Sequence, residues 1–355
     1  MRKSLYNTYT LIHSKRLRTN LDVLSRNINP EISKMAVVKA NAYGHGAVKV
    51  AHILKDKVEW FGVANVREGI ELRKSDIKNP ILVLGVPDSH NKRYYREYNL
   101  TAVISAFEHF NMLPKGTEYH LNFDTGMGRL GFYEDQVDRV LEAVSNHQDL
   151  HLRGLMSHFA TADEPGSKKV QNQWKAFERI QRYFPNDITF HIANTGGALF
   201  YDRNLFDMVR FGIGIYGYPP GGVVIEGLKP AMVWKSYLAQ VKPINEGMSV
   251  SYLARWQAPH DGYLGVIPVG YGDGYPRNIS GKAKVTIEGK DYPQVGIVTM
   301  DYIMIFLDQD QPPVDSEVVL MGNAGNTATE IANMMGTINY EILCRLTDRV
   351  ERRYV

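Results

Sequence analysis

The chain has a single cysteine, Cys344. No disulfide framework or cysteine-built metal site can therefore form within it, no metal is expected, and a reducing, cytoplasmic setting is the natural reading. It also lacks any uncharged apolar run of about 18 residues, which excludes a membrane-crossing helix. The amino-terminal M-R-K-S-L-Y-N-T-Y-T-L-I-H-S-K is positively charged but has no apolar core of signal-peptide length. A polybasic block is missing as well: 41 Lys plus Arg face 38 Asp plus Glu, for a net charge of +3. Nucleic acid and membrane surfaces are accordingly not expected partners. At 355 residues the chain is long for one core, and two domains are anticipated.

What the chain does have is alternation. Short apolar runs recur at 35–40, 59–65, 81–86, 101–105, 119–125, 152–159, 188–194 and 208–217. Between them lie stretches with apolar residues at helical spacing, such as A-V-K-V-A-H-I-L-K-D, V-R-E-G-I-E-L-R-K and K-V-Q-N-Q-W-K-A-F-E-R-I-Q-R-Y-F. Eight such alternations predict an α/β architecture, a (β/α)8 barrel of the TIM type, with a doubly wound sheet as the alternative. After the turn-rich Y-P-P-G-G-V-V-I-E-G-L-K-P (218–230) the runs become β-type: S-Y-L-A-Q-V-K, Y-L-G-V-I-P-V-G-Y, K-A-K-V-T-I-E-G, V-G-I-V-T-M-D-Y-I-M-I-F-L and S-E-V-V-L-M-G. The expected organisation is a barrel over 1–230 and a mainly β domain over 231–355, which the first ten or so residues are free to join.

Chemistry in such barrels sits at the carboxyl ends of the strands, with phosphate held by the loops after the seventh and eighth. Lys39 ends the first run, in M-A-V-V-K-A-N-A-Y-G-H-G-A (35–47), followed by Tyr43 and His45. An ammonium after four apolar residues either snorkels to water or is desolvated for Schiff-base chemistry with an aldehyde. The nearby Gly44 and Gly46 permit close approach of a ligand. D-T-G-M-G-R follows the fifth run, His158 ends the sixth, Asn194 and Thr195 follow the seventh, and Arg210 lies in the eighth before Gly212 and Gly214. N-T-G-G (194–197) is either an ordinary helix cap or an anion site. A lysine and a phosphate position together suggest pyridoxal 5′-phosphate.

With these residues assembled, the sequence closely resembles the alanine racemases, fold-type III pyridoxal-phosphate enzymes with a barrel, a β domain and a head-to-tail homodimer. The resemblance lies in an ordered set of motifs over nearly the whole chain: A-V-V-K-A-N-A-Y-G-H-G, D-T-G-M-G-R-L-G, G-L-M-S-H-F-A, V-R-F-G-I-G-I-Y-G, V-S-Y, G-Y-G-D-G-Y-P-R, T-M-D and R-V-E-R-R-Y. It implies interconversion of L- and D-alanine, supplying D-alanine for peptidoglycan, by two bases on opposite faces of the substrate. Lys39, which also holds the cofactor, is one; Tyr252 from the partner subunit is the other. It further implies that Arg210 faces the pyridine nitrogen, supported by His191, and that His158 lies against the ring. Tyr43, Asn194, Thr195, Gly212, Ile213 and Tyr354 belong to cofactor binding, chiefly at the phosphate. Arg129 serves the phenolic oxygen and the substrate carboxylate. Met300 and Asp301, again from the partner, line the carboxylate site, and Tyr271 narrows the entrance.

Two positions depart from the family pattern. Asn122 stands where most members have a carbamylated lysine that holds the arginine, and Thr299 stands where a cysteine is frequent. A chloride beside Asn122 and Arg129 is the expected replacement for the carbamate, because an amide can donate where a carbamate only accepts. These departures leave a serine or broad-spectrum racemase as the alternative. A decarboxylase of the same fold type is opposed by Arg210 and by the location of Cys344 in the apolar run E-I-L-C-R-L. A non-catalytic pyridoxal-phosphate carrier is opposed by the long segment after Pro230.

Overall fold

The computed structural model describes residues 5–201, 206–322 and 326–355. Residues 1–4, part of the amino-terminal stretch expected to be able to join the β domain, lie outside them. The chain divides into two compact units: Arg16–Lys229, and the described residues up to Lys15 together with Pro230–Val355.

The strands are β1 (Tyr9–Ile12), β2 (Ser33–Val37), β3 (Trp60–Val63), β4 (Ile81–Val83), β5 (Ala102–Ile104), β6 (Glu118–Asn122), β7 (His151–Met156), β8 (Thr189–His191) and β9 (Met208–Phe211). In the Arg16–Lys229 unit, β2 to β9 form two parallel ladders, β4-β3-β2-β9 and β5-β6-β7-β8. Parallel bridges Leu82–Thr101 and Asn194–Arg210 join the ladders at both edges, closing the ring. Closure settles the choice between barrel and doubly wound sheet. All eight strands overlap the apolar runs of the sequence, with β2, β6 and β7 starting one or two residues earlier, and the fully buried β4 and β5 show why such strands read as continuous apolar stretches.

Amphipathic helices cover the ring. Lys168–Gln181, for example, buries Val170, Trp174, Phe177 and Ile180 from one face, with Trp174 stacked between Phe159 and Phe206. One helix escaped the sequence reading: Ser14–Ser25 buries Leu17, Leu21 and Leu24, a helical spacing that the stretch does contain.

The second unit continues with β10 (Met232–Tyr237), β11 (Gln240–Ile244), β12 (Ser249–Val250), β13 (Trp256–Gln257), β14 (Gly262–Ile267), β15 (Lys284–Ile287), β16 (Lys290–Val295), β17 (Ile303–Asp308), β18 (Glu317–Met321) and β19 (Glu351–Tyr354). Nine strands form one sheet in the order β11-β14-β17-β16-β15-β18-β10-β1-β19. β1 pairs antiparallel with β10 and parallel with β19. Two of the expected β runs are broken: 236–242 divides between β10 and β11, and 295–307 leaves the sheet after β16 and re-enters at β17. Two helices, Ala328–Met335 and Asn339–Cys344, interrupt the β pattern. Cys344 is exposed at the end of the second, although its neighbours Ile342 and Leu343 are buried.

Candidate active site

Lys39 leaves β2 at the start of a tight left-handed turn. Ala40, Asn41, Ala42 and Tyr43 have φ of 52°, 53°, 53° and 51°, a region that costs a non-glycine residue roughly 1–2 kcal/mol. Runs of this kind persist only where surrounding bonds over-determine them. Here Ala42 N donates to Val38 O (2.8 Å), Gly46 N to Asn41 O (2.8 Å) and Ala47 N to Asn41 Oδ1 (2.8 Å), and Gly44 closes the turn at φ 78°.

Tyr43, at the end of the turn, meets the loop after β9. A Cβ on Gly212 would stand 2.8 Å from Tyr43 Oη, so glycine leaves open a cradle that any side chain would fill. Thr195 Oγ1 accepts from Gly212 N at 3.1 Å, and Asn194 Oδ1 caps the Thr195–Phe200 helix by accepting from Gly197 N. Ile213 is buried at the start of the next 3-10 turn.

Arg210 projects from β9 and is almost wholly buried. Its Nη1 donates to His191 Nδ1 (2.6 Å) and His191 O (3.1 Å), and its Nη2 to Ser157 O (2.7 Å), His158 Nδ1 (3.0 Å) and Ile192 O (3.1 Å). No acceptor among the described residues meets its Nε–H. A guanidinium only donates, so His191 must accept at Nδ1 and carry its hydrogen on Nε2. That hydrogen goes to His120 Nδ1 at 2.8 Å. The hydrogen of His120 therefore sits on Nε2, which is buried and meets no acceptor among the described residues. Gly154 makes room for this ring: a Cβ there would stand 2.6 Å from it.

Electrostatics follow from this burial. Desolvation and the charge of Arg210 hold His191 and His158 well below the ordinary imidazole value, and Arg129 and Lys39 push His158 further down. His158 thus feels the charges of Arg210, Arg129 and Lys39, and Arg210 feels that of Arg129. His120 falls to about 3 for the same reasons, burial first and Arg210 second. Arg210 itself is lowered to about 9 by burial and by Arg129, and so stays charged at neutral pH.

The D-T-G-M-G-R loop is built around Asp124. Its Oδ1 accepts from the N–H groups of Gly126 (2.9 Å), Met127 (2.8 Å) and Gly128 (3.1 Å), and its Oδ2 from Arg129 N (2.9 Å). Burial alone would raise this carboxyl, but the four backbone donors hold it below its usual value. The loop leaves Arg129 exposed. The expectation for Asn122 needs correcting. Both hydrogens of its Nδ2 are engaged, with Leu130 O at 2.8 Å and Ser105 Oγ at 3.3 Å. The donor on which a chloride beside Asn122 was to rest is already committed.

The remaining predicted residues lie in the second unit. Tyr252 opens an exposed 3-10 turn after β12, not a strand. With Thr299, Tyr302 and Met304 it lines a cavity of about 580 Å³. Met300 and Asp301 are exposed at the tip of the turn between β16 and β17. Thr299 Oγ1 closes that turn, donating to Tyr302 O (2.9 Å) and accepting from Tyr302 N (3.0 Å). Tyr271 lies against it, its N–H on Thr299 O at 3.0 Å. Tyr354 is apart from these, in β19, where burial raises its phenol and Arg352 opposes the shift.

Three residues near the predicted ones were not singled out from sequence. His120 extends the Arg210–His191 chain. Asp273 and Arg349 brace the Met300 turn: Arg349 Nε stands 3.1 Å from Asp273 Oδ1 and its Nη2 donates to Asp301 Oδ1 at 2.7 Å. Asp273 and Arg349 both occur in quoted motifs, whereas His120 had no signal beyond its place in a strand.

A strand-end lysine, a buried arginine with one N–H left over and a hydroxyl-lined cradle opened by Gly212 fit a group carrying an aldehyde, an aromatic nitrogen and a phosphate. Together with the fold they define the barrel class of pyridoxal-phosphate enzymes. The chain belongs to the alanine racemase family, whose N-terminal domain matches residues 12–220 and whose C-terminal domain matches residues 231–354. It is similar to the alanine racemase of Streptococcus pneumoniae (strain Hungary19A-6), 36% identical over 363 residues and 98% of each chain. It also resembles the solved alanine racemase of Clostridium difficile 630, with TM-score 0.94 and 33% identity over 99% of this chain and 97% of that one. A third relative is the alanine racemase of Bartonella henselae with covalently bound pyridoxal phosphate, with TM-score 0.90 and 26% identity over 98% of this chain and 99% of that one.

Proposed function

We propose that the chain interconverts L- and D-alanine in the cytoplasm, as a homodimer, with pyridoxal 5′-phosphate held by Lys39, and so supplies D-alanine for peptidoglycan. The observation that carries this reading is Arg210 on β9, bonded to His191 and His158 and paired beside the strand that leads into Lys39, in a chain whose family is established over both domains.

When bound, the cofactor withdraws electrons from the substrate α-carbon and makes its proton removable. The protein's task is to move that proton. Lys39 Nζ takes it from one face and Tyr252 Oη of the partner subunit serves the other, since inversion requires donors on opposite sides. Arg210, charged and reluctant to release a proton, would hold the cofactor's ring nitrogen with its remaining Nε–H without protonating it, which would limit charge delocalisation and side reactions. Tyr43, Thr195, Gly212 and Ile213 are assigned to the phosphate, with Asn194 holding the helix start and Tyr354 as a further hydroxyl. Arg129 takes the carboxylate together with the partner's Met300 and the partner's Asp301, and the partner's Tyr271 restricts entry. Any small anion at this site rests on Arg129, because Asn122 is occupied.

Among the described residues no helix is long and apolar enough to cross a membrane. The homodimer accounts for the large apolar side chains exposed in the second unit, notably Tyr252 at 66%, Leu253 at 68% and Met300 at 51%.

The test is a panel of L-amino acids incubated with the cofactor-loaded chain and resolved by chiral chromatography, alongside borohydride fixation of the cofactor and peptide mapping. Alanine should racemise fastest and the label should fall on Lys39. A label elsewhere, or no racemisation of alanine, defeats the proposal; faster turnover of serine would favour the broad-spectrum alternative, for which the departures at Asn122 and Thr299 leave room.

A further inference from the structure

N-V-R-E (65–68), at the start of the helix Val66–Lys74, has the spacing of a capping box, in which the glutamate returns to the N–H of the cap residue. Asn65 keeps its part, its Oδ1 accepting from Glu68 N at 3.1 Å. Glu68 does something else. Its Oε2 accepts from Ala64 N (2.7 Å), and its Oε1 reaches across to Ala40 N (2.8 Å). Ala40 directly follows Lys39 and is the first of the four left-handed residues. One carboxylate therefore ties the end of β3 to the first peptide of the strained turn, and the peptide it holds is the one through which Lys39 is joined to that turn.

We propose that Glu68 is a positioning residue for Lys39: by fixing the Ala40 N–H it sets the direction in which the lysine leaves β2 toward an aldehyde-bearing phosphate ester. A cap needed only for the helix would have no use for a bond to Ala40. The carboxylate is suited to the task because both oxygens accept and neither donates, whereas a glutamine can satisfy one N–H and must turn its own N–H₂ toward the other. The proposal rests on the reading of Lys39 as the cofactor lysine.

Two ligands separate positioning from general support. Pyridoxal 5′-phosphate needs the Lys39 amine for tight binding. Pyridoxamine 5′-phosphate has the same ring and phosphate but cannot join a lysine. Full-length chain freed of cofactor by dialysis is titrated with each. Glu68→Gln should bind pyridoxal 5′-phosphate roughly tenfold more weakly, the size of one charge-assisted hydrogen bond, and change much less toward pyridoxamine 5′-phosphate. Asn65→Ala, which weakens the helix cap but leaves the Ala40 contact, should lower the melting temperature without that selectivity. Equal losses for both ligands in Glu68→Gln, no loss for either, or the same selectivity in Asn65→Ala would overturn the proposal. Lys39→Ala is the reference. If it shows the selective loss and Glu68→Gln does not, Glu68 alone has been misassigned; if Lys39→Ala binds both ligands as wild type does, the reading of Lys39 fails and the proposal with it.

Discussion

At the scale of single residues, the barrel's unusual investment is in neutral histidines. His120, His158 and His191 are all held below their ordinary value by burial and by Arg210. The sign of the consequence is fixed. Above pH ~6.5 the imidazoles are neutral whether the chain is folded or not, and stability is at its full value. As pH falls below that, the unfolded chain binds protons that the folded chain refuses. Stability then drops by about 1.4 kcal/mol per pH unit for each such histidine, until its folded pKa is reached. For His120 that limit is about 3. Melting temperatures recorded from neutral pH down to about 5 should decline steadily. His120→Asn, whose carbonyl can still accept from His191, should decline less steeply by one histidine's share, and an unchanged slope would show that His120 titrates as freely in the folded chain as in the unfolded one.

Between strands, the decisive features are turns. The turn carrying Met300 and Asp301 is pinned by Thr299, by Gly272 N on Met300 O at 2.9 Å and by Arg349 between Asp273 and Asp301. Gly272 makes this possible, since a Cβ there would stand 2.4 Å from Arg349 Nη1. Arg349 is about half exposed, so its ion pairs are screened and add little to global stability. Its effect should instead appear in substrate binding. Arg349→Ala is expected to raise the KM for alanine roughly fivefold, about 1 kcal/mol of lost positioning, with melting temperature and kcat nearly unchanged. An unaltered KM would separate the turn from the carboxylate site. Such turns mark the limit of what the sequence discloses. The barrel strands were legible because buried parallel strands read as unbroken apolar runs. Nothing in A-N-A-Y signals a left-handed turn, and the first N–H of that turn is taken up by Glu68, 28 positions away. V-G-I-V-T-M-D-Y-I-M-I-F-L reads as one strand and breaks because Thr299 and the backbone of 270–272 capture its middle. The strand-end residues of the barrel could be collected from spacing alone, whereas the commitment of Asn122 to Leu130 and Ser105 is a matter of tertiary contact.

For the whole molecule, the proposal that Lys39 and Tyr252 act from different subunits makes a prediction that no single-subunit site shares. Lys39→Ala and Tyr252→Phe should each be nearly inactive, the first losing one base and the cofactor's anchor, the second the other base. When the two variants are mixed and their subunits allowed to exchange, a heterodimer contains two unlike sites. One combines the altered lysine position with the altered tyrosine position and is dead. The other takes Lys39 from the Tyr252→Phe chain and Tyr252 from the Lys39→Ala chain, and is intact. Random exchange of equal amounts makes about half the dimers mixed, each with one working site of two, so activity should return to about a quarter of wild type. The return should follow the rate of subunit exchange. If both bases came from one chain, every site in the mixture would carry one of the two lesions, and no amount of exchange would restore racemisation.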